Sequence, residues 1–122
     1  MWDVEYTDQF GNWYQQLGRE DQRAVAARME LLENFGPGLD RPTVDNVHQS
    51  RHPNMKELRA ERSMRVLFAF DPRRTAILLI GGHKNAPEKA NMRWNRWYDH
   101  FVPIADDLYD EYLDELRSEG NT

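Results

Sequence analysis

The stretch that decides the fold runs from Met55 to Lys84: MKELRAERSMRVLFAFDPRRTAILLIGGHK. It reads as three consecutive antiparallel strands with two tight connections. Met64, Val66, Phe68 and Phe70 alternate with Arg65, Leu67 and Ala69, so both faces of the middle strand are largely apolar. Such a strand sits centrally in a sheet covered on both sides. Asp71-Pro72-Arg73-Arg74 supplies the second turn, with Pro72 where its fixed φ suits one. Thr75 to Ile80 is a β-branched and aliphatic return strand ending at Gly81-Gly82. The first strand, Met55 to Ala60, joins the second through Glu61-Arg62-Ser63.

This pairing gathers charge. With the second turn at 71–74, Arg65 falls close to Gly81, and His83-Lys84 follow just beyond. With the first turn at 61–63, Arg59 falls roughly opposite Arg65. Like charges facing each other across a sheet are unfavourable unless something negative lies between them. Lys56, Arg59, Arg65, His83 and Lys84 are therefore expected to form one basic cluster at one end of the sheet, suited to bind phosphate. The alternative is that each arginine is separately solvated or paired with Glu57 or Glu61.

At 122 residues the chain reads as one domain, residues 1–122, large enough for a core without staples. Hydrophobic residues at 39% and charged residues at 30% suit a globular protein rather than a disordered one. No apolar run is long enough to span a bilayer, and the acidic, alternating start is unlike a signal peptide. The absence of cysteine excludes disulfides and thiolate chemistry, in keeping with an expected cytoplasmic location and no membrane partner. The net charge of −5 conceals a pattern: residues 1–50 carry −5, residues 51–97 carry +7 and residues 98–122 carry −7. A basic middle inside an acidic chain is a local footprint for a polyanion, which the overall pI of about 5.3 would not suggest.

Around the central strands, Trp2, Val4 and Tyr6 alternate with Asp3 and Glu5 in a short strand. Thr7 or Asp8 caps a helix carrying Phe10, Trp13 and Leu17 on one face, stopped by Gly18. Glu20 and Asp21 open a second helix whose stripe is Val25, Met29 and Leu32, ended by Gly36-Pro37-Gly38. The aromatic and methionine residues of this pair read as core. Leu39 to Asn54, with Pro42 and Pro53, reads as a loop wrapping to the sheet. His48 and His52 have the spacing of a helical metal pair, but Pro53 and the lack of a third ligand speak against a metal, and none is expected. Gly81-Gly82 lacks the spacing of a phosphate-cradling loop. A loop at Asn85-Ala86-Pro87 precedes a helix carrying Trp94, Trp97, Tyr98 and Phe101, interrupted by Pro103. Residues 105–119 then form an acidic amphipathic helix, with Leu108, Tyr109, Tyr112, Leu113 and Leu116 packing on the domain. The fold class is α+β: a small, mostly antiparallel sheet with the N-terminal helical pair on one face, and a C-terminal helix.

Tyr6-Thr7-Asp8, Gly36-Pro37, Arg41-Pro42, Asn54-Met55-Lys56-Glu57-Leu58-Arg59, Arg65 to Pro72 (RVLFAFDP) and Leu79 to Lys84 (LIGGHK), in that order, resemble the RelE/HigB-type toxins of bacterial toxin–antitoxin modules. The phage-derived, HigB-like branch is the nearest, and Ala105-Asp106-Asp107-Leu108-Tyr109 extends the match over nearly the whole chain. The resemblance implies a toxin held inactive by a cognate antitoxin, often of helix-turn-helix type, with operator DNA bound only through that antitoxin. Free RelE- and HigB-type toxins cut messenger RNA on the ribosome without a cofactor. ParE-type relatives of the same fold inhibit gyrase instead, and a catalytically inactive antitoxin- or DNA-binding module is a third possibility. For RNA cleavage, Arg59 and Arg65 would hold phosphate oxygens, Lys56 and Lys84 would stabilise charge or move protons, and His83 is the candidate whose residue type suits acid–base work near neutrality. Arg62, Arg73, Arg93, Arg96 and Tyr98 are candidate RNA-binding residues. RelE carries a late arginine and tyrosine, and characterised HigB toxins a late aspartate–tyrosine–histidine group; Arg93, Arg96 and Tyr98 are the candidates to stand in for them here.

Overall fold

A computed structural model describes residues 1–61, 63–83 and 90–120, with side chains from 96 onward in the last segment. The expected 85–87 loop lies outside the described residues. The elements are β1 (Asp3–Tyr6), α1 (Asp8–Gln15), α2 (Arg19–Phe35), β2 (Val44–Asn46), β3 (Met55–Arg59), β4 (Met64–Phe70), β5 (Thr75–His83) and α3 (Ala90–Gly120). The five strands form one sheet in the order β1-β5-β4-β3-β2, parallel between β1 and β5 and antiparallel elsewhere.

The central position of β4 follows from its composition. On one face Val66 and Phe68 join Phe10, Val25, Leu32 and Leu78 under α1 and α2. On the other face Leu67 and Ala69 join Ile77, Leu79, Trp97, Val102, Ala105 and Tyr109 under α3. The sheet is thus sandwiched, and α3 packs against its own domain, as its apolar stripe requires. Thr7 ties the layers together: its hydroxyl donates to Leu79 O at 2.6 Å and accepts from Phe10 N–H at 3.1 Å, capping α1. The turn after β4 is held by Asp71, whose carboxylate accepts the backbone N–H groups of Arg73 and Thr75 at 2.8 and 2.9 Å and the Tyr112 hydroxyl at 2.6 Å.

The structure departs from the sequence expectation in three places. Within the stretch expected to be a loop, Val44–Asn46 forms β2 on the outer edge of β3. Pro103 does not break the last helix, which runs through it from Ala90 to Gly120. Pro removes one backbone N–H, yet the flanking residues Val102 and Ala105 are pinned on the sheet, and tertiary packing carries the helix across. The third departure is in β5. Leu67 pairs with Ile80 while Phe68 pairs with Leu78, so Leu79 is an extra residue on that strand. Such a bulge turns every later residue to the opposite face.

Candidate active site

That bulge divides the expected basic cluster. Arg59 and Arg65 are direct register partners across β3 and β4, as the turn arithmetic anticipates. Both share the face of Leu67 and Met55, beneath α3. Arg65 pairs with Gly82, one residue beyond the expected Gly81. Past the bulge, His83 pairs with Met64 and points to the α1–α2 side, where its Nε2 lies 3.6 Å from Asp21 and its ring meets the edge of Trp13. Lys56 also belongs to that side, because it is an odd number of residues from Arg59, and its ammonium group donates to Asn46 Oδ1 at 2.5 Å. His83 and Lys56 therefore do not stand with the two arginines. Lys84 and Arg62 lie outside the described residues, as does the Arg93 side chain.

What joins Arg59 and Arg65 is Glu57. Its carboxylate is 4% exposed and accepts the Tyr98 hydroxyl at 2.8 and 2.9 Å, one distance to each oxygen. Arg59 Nη2 lies 3.4 Å from Oε2 and Arg65 Nε lies 3.5 Å from Oε1. Arg59 Nη2 also reaches Asp45 Oδ2 at 3.1 Å, and Arg65 Nη1 donates to Met64 O at 3.0 Å. A buried carboxylate between two guanidiniums removes the repulsion that facing arginines would suffer. Burial, then the neighbouring Glu57 charge, pushes the Tyr98 phenol well above its ordinary pKa, so it is a neutral hydroxyl at physiological pH. Asp45 is held below the ordinary carboxylate range, chiefly by the N–H of Asn46.

The four side chains come from three elements. Glu57 and Arg59 are alternate residues of β3, Arg65 is on β4, and Tyr98 descends from α3, whose Trp97 and Phe101 lie over Gly82 at 3.2 Å from where a Cβ would stand. The Nε atoms of Arg59 and Arg65 are buried without a hydrogen-bond partner among the described residues. Arg96 is exposed on α3, two residues before Tyr98. Arg73 is not near it. It sits at the opposite end of the sheet, 3.4 Å from the Tyr112 hydroxyl and 3.7 Å from Asp71. Glu57 was legible only as a partner that could neutralise an arginine. Its alternation with Arg59 was the available signal for a shared face.

Comparison with known proteins follows the same lines. Residues 12–110 match the family described as phage derived protein Gp49-like. The Mycobacterium tuberculosis protein named "Putative toxin HigB3" is 47% identical over 106 residues, spanning 86% of this chain and 88% of its own. Among solved structures, the isolated Escherichia coli RelE toxin superposes with a TM-score of 0.60 at 9% identity, over 80% of this chain and 99% of that one. The toxin-antitoxin complex RelBE2 of Mycobacterium tuberculosis matches at 0.54 and 15% identity, over 67% and 96%. At such identities the two structures establish a common fold.

Proposed function

The chain belongs to the phage-derived Gp49-like family, and from that membership we propose that it is a RelE/HigB-type toxin that cuts messenger RNA on the ribosome. A cognate antitoxin, of helix-turn-helix type, neutralises it and carries any contact with operator DNA. The observation that supports cleavage is the Arg59–Arg65 pair, opposed across β3 and β4 with the Tyr98 hydroxyl beside it.

Cleavage without a metal requires attack of a ribose 2′-hydroxyl on the adjacent phosphorus. The P–O5′ bond breaks, leaving a 2′,3′-cyclic phosphate and a 5′-hydroxyl. The phosphorane gains negative charge on its equatorial oxygens, and planar guanidinium forks stabilise that charge through paired N–H donors. Arg65, with its side chain mostly buried and seated on a rigid central strand, is the better placed of the two to act in a fixed geometry. Arg59 and Tyr98 complete the contact, with Arg96 at the exposed margin. Lys84, Arg62 and Arg93 remain candidates by their positions in the sequence. The sequence offers Lys56 and His83 as proton carriers, but their location on the far face favours Tyr98 as the group that orders protons here.

Expressing the protein without its antitoxin, and mapping RNA 5′ ends together with DNA damage, tests this reading. New ends within codons are expected from the wild type. Arg65→Ala should lower toxicity by roughly a hundredfold, the usual loss for one transition-state donor, and Arg65→Lys should recover only part. DNA damage without RNA ends would mean a gyrase-directed toxin, and unimpaired growth would mean an inert binding module.

A further inference from the structure

Glu57 is central to the cluster, yet neither the sequence motif chemistry nor the proposed reaction gives it a task. It is nearly inaccessible, and three side chains from three elements converge on it. An ionised carboxylate can only accept hydrogen bonds. The Tyr98 O–H must therefore donate toward Glu57, and the lone pairs of the phenolic oxygen face away from it. We propose that Glu57 is a positioning residue for RNA cleavage: it fixes Tyr98 as a hydrogen-bond acceptor toward the ribose 2′-hydroxyl and holds Arg65 toward the adjacent phosphate. The inference rests on the nuclease reading above.

The surroundings support this assignment. Among the described residues, Arg59 from β3, Arg65 from β4 and Asp45 from β2 are charged groups close to the pair, and Asp45 engages Arg59. Tyr98 is separated from Glu57 by 41 residues, so its hydroxyl reaches the sheet only because α3 lies across it. A hydroxyl with no such partner would rotate freely and present either a donor or an acceptor. Bound to both carboxylate oxygens, it presents one polarity.

The test uses purified full-length protein and ribosomes programmed with a defined message. Glu57→Gln keeps size and shape but offers Tyr98 an amide that can donate or accept. Single-turnover cleavage should fall roughly a hundredfold with little change in apparent affinity for ribosomes, as expected when a reacting group is misplaced rather than lost. Ultraviolet titration should show the Tyr98 phenol, identified by its disappearance in Tyr98→Phe, ionising at lower pH in Glu57→Gln than in the wild type. In the Tyr98→Phe background, Glu57→Gln should add much less than it does alone. A wild type that leaves the message intact overturns the nuclease reading, and this inference with it. A cutting wild type whose Glu57→Gln variant keeps its rate overturns the inference alone. So does an unmoved Tyr98 titration with equal losses in both backgrounds, which marks a purely structural residue.

Discussion

Two neighbouring glycines show how finely single residues place this site. A Cβ on Gly81 would stand 2.3 Å from the Trp13 ring, in the layer beneath α1. A Cβ on Gly82 would meet Trp97 and Phe101 of α3 at 3.2 Å, on the opposite face. The first contact requires a core ring to move, whereas the second asks for a shift of a few tenths of an ångström. Gly81→Ala should therefore lose about 1–3 kcal/mol of stability by denaturant unfolding, the usual cost of overpacking, and Gly82→Ala clearly less. Gly82→Ala should act instead on cleavage, because it presses on the helix that carries Tyr98. Equal destabilisation by the two substitutions would contradict the facing assigned to β5. In the sequence, Gly81-Gly82 shows only that it lacks the spacing of a phosphate-cradling loop. The reason for their being glycine needed the two aromatic layers, which come from segments some 70 residues before and 20 after in the chain.

At the scale of elements, α3 decides whether the arginine face is complete, and the loop before β3 holds it there. Asp106 is buried and accepts from the Ser50 hydroxyl and, at 3.2 Å, from Arg51 N–H. Arg51 also bridges Asp107 at 3.0 Å and Asp110, while His52 Nε2 meets Asp110 Oδ1 at 2.8 Å and its ring packs on Tyr109. Thus His52 serves a clamp. Asp110 is held below the ordinary carboxylate range, first by Arg51 and then by His52. A carboxyl depressed in the folded state adds stability above its unfolded pKa of about 4, and that contribution is lost as pH falls through the lower folded value. Asp110→Asn should therefore flatten the fall in thermal midpoint between about pH 5 and pH 3. A wild-type slope in the variant would remove Asp110 from the clamp. The three strands of the central stretch, the Arg59–Arg65 register and the two N-terminal helices were legible because alternation and turn chemistry are local. The bulge at Leu79 was not, since Ile77 to Ile80 is apolar throughout and no alternation marks the slip. β2 is too short to carry a period, and the continuity of α3 through Pro103 depends on the sheet it lies on.

Across the whole molecule, a basic middle and acidic flanks become a sheet with two unlike faces. The α1–α2 face is packed with Phe10, Val25, Leu32 and Phe68. The α3 face holds the guanidinium pair, its carboxylate and the tyrosine. Among the described residues no helix is long and apolar enough to cross a membrane. The fold is common to proteins of unrelated action, so the account stands on the chemistry of one face rather than on the architecture. The most direct measurement is the end chemistry of message cut by the purified protein on ribosomes, read by labelling RNA 5′ ends with and without prior phosphatase treatment. Attack by a 2′-hydroxyl leaves 5′-hydroxyl ends that label without phosphatase, appear within codons and fall by roughly a hundredfold in Arg65→Ala. Ends that label only after phosphatase treatment, or intact message with loss of gyrase supercoiling, would contradict the account.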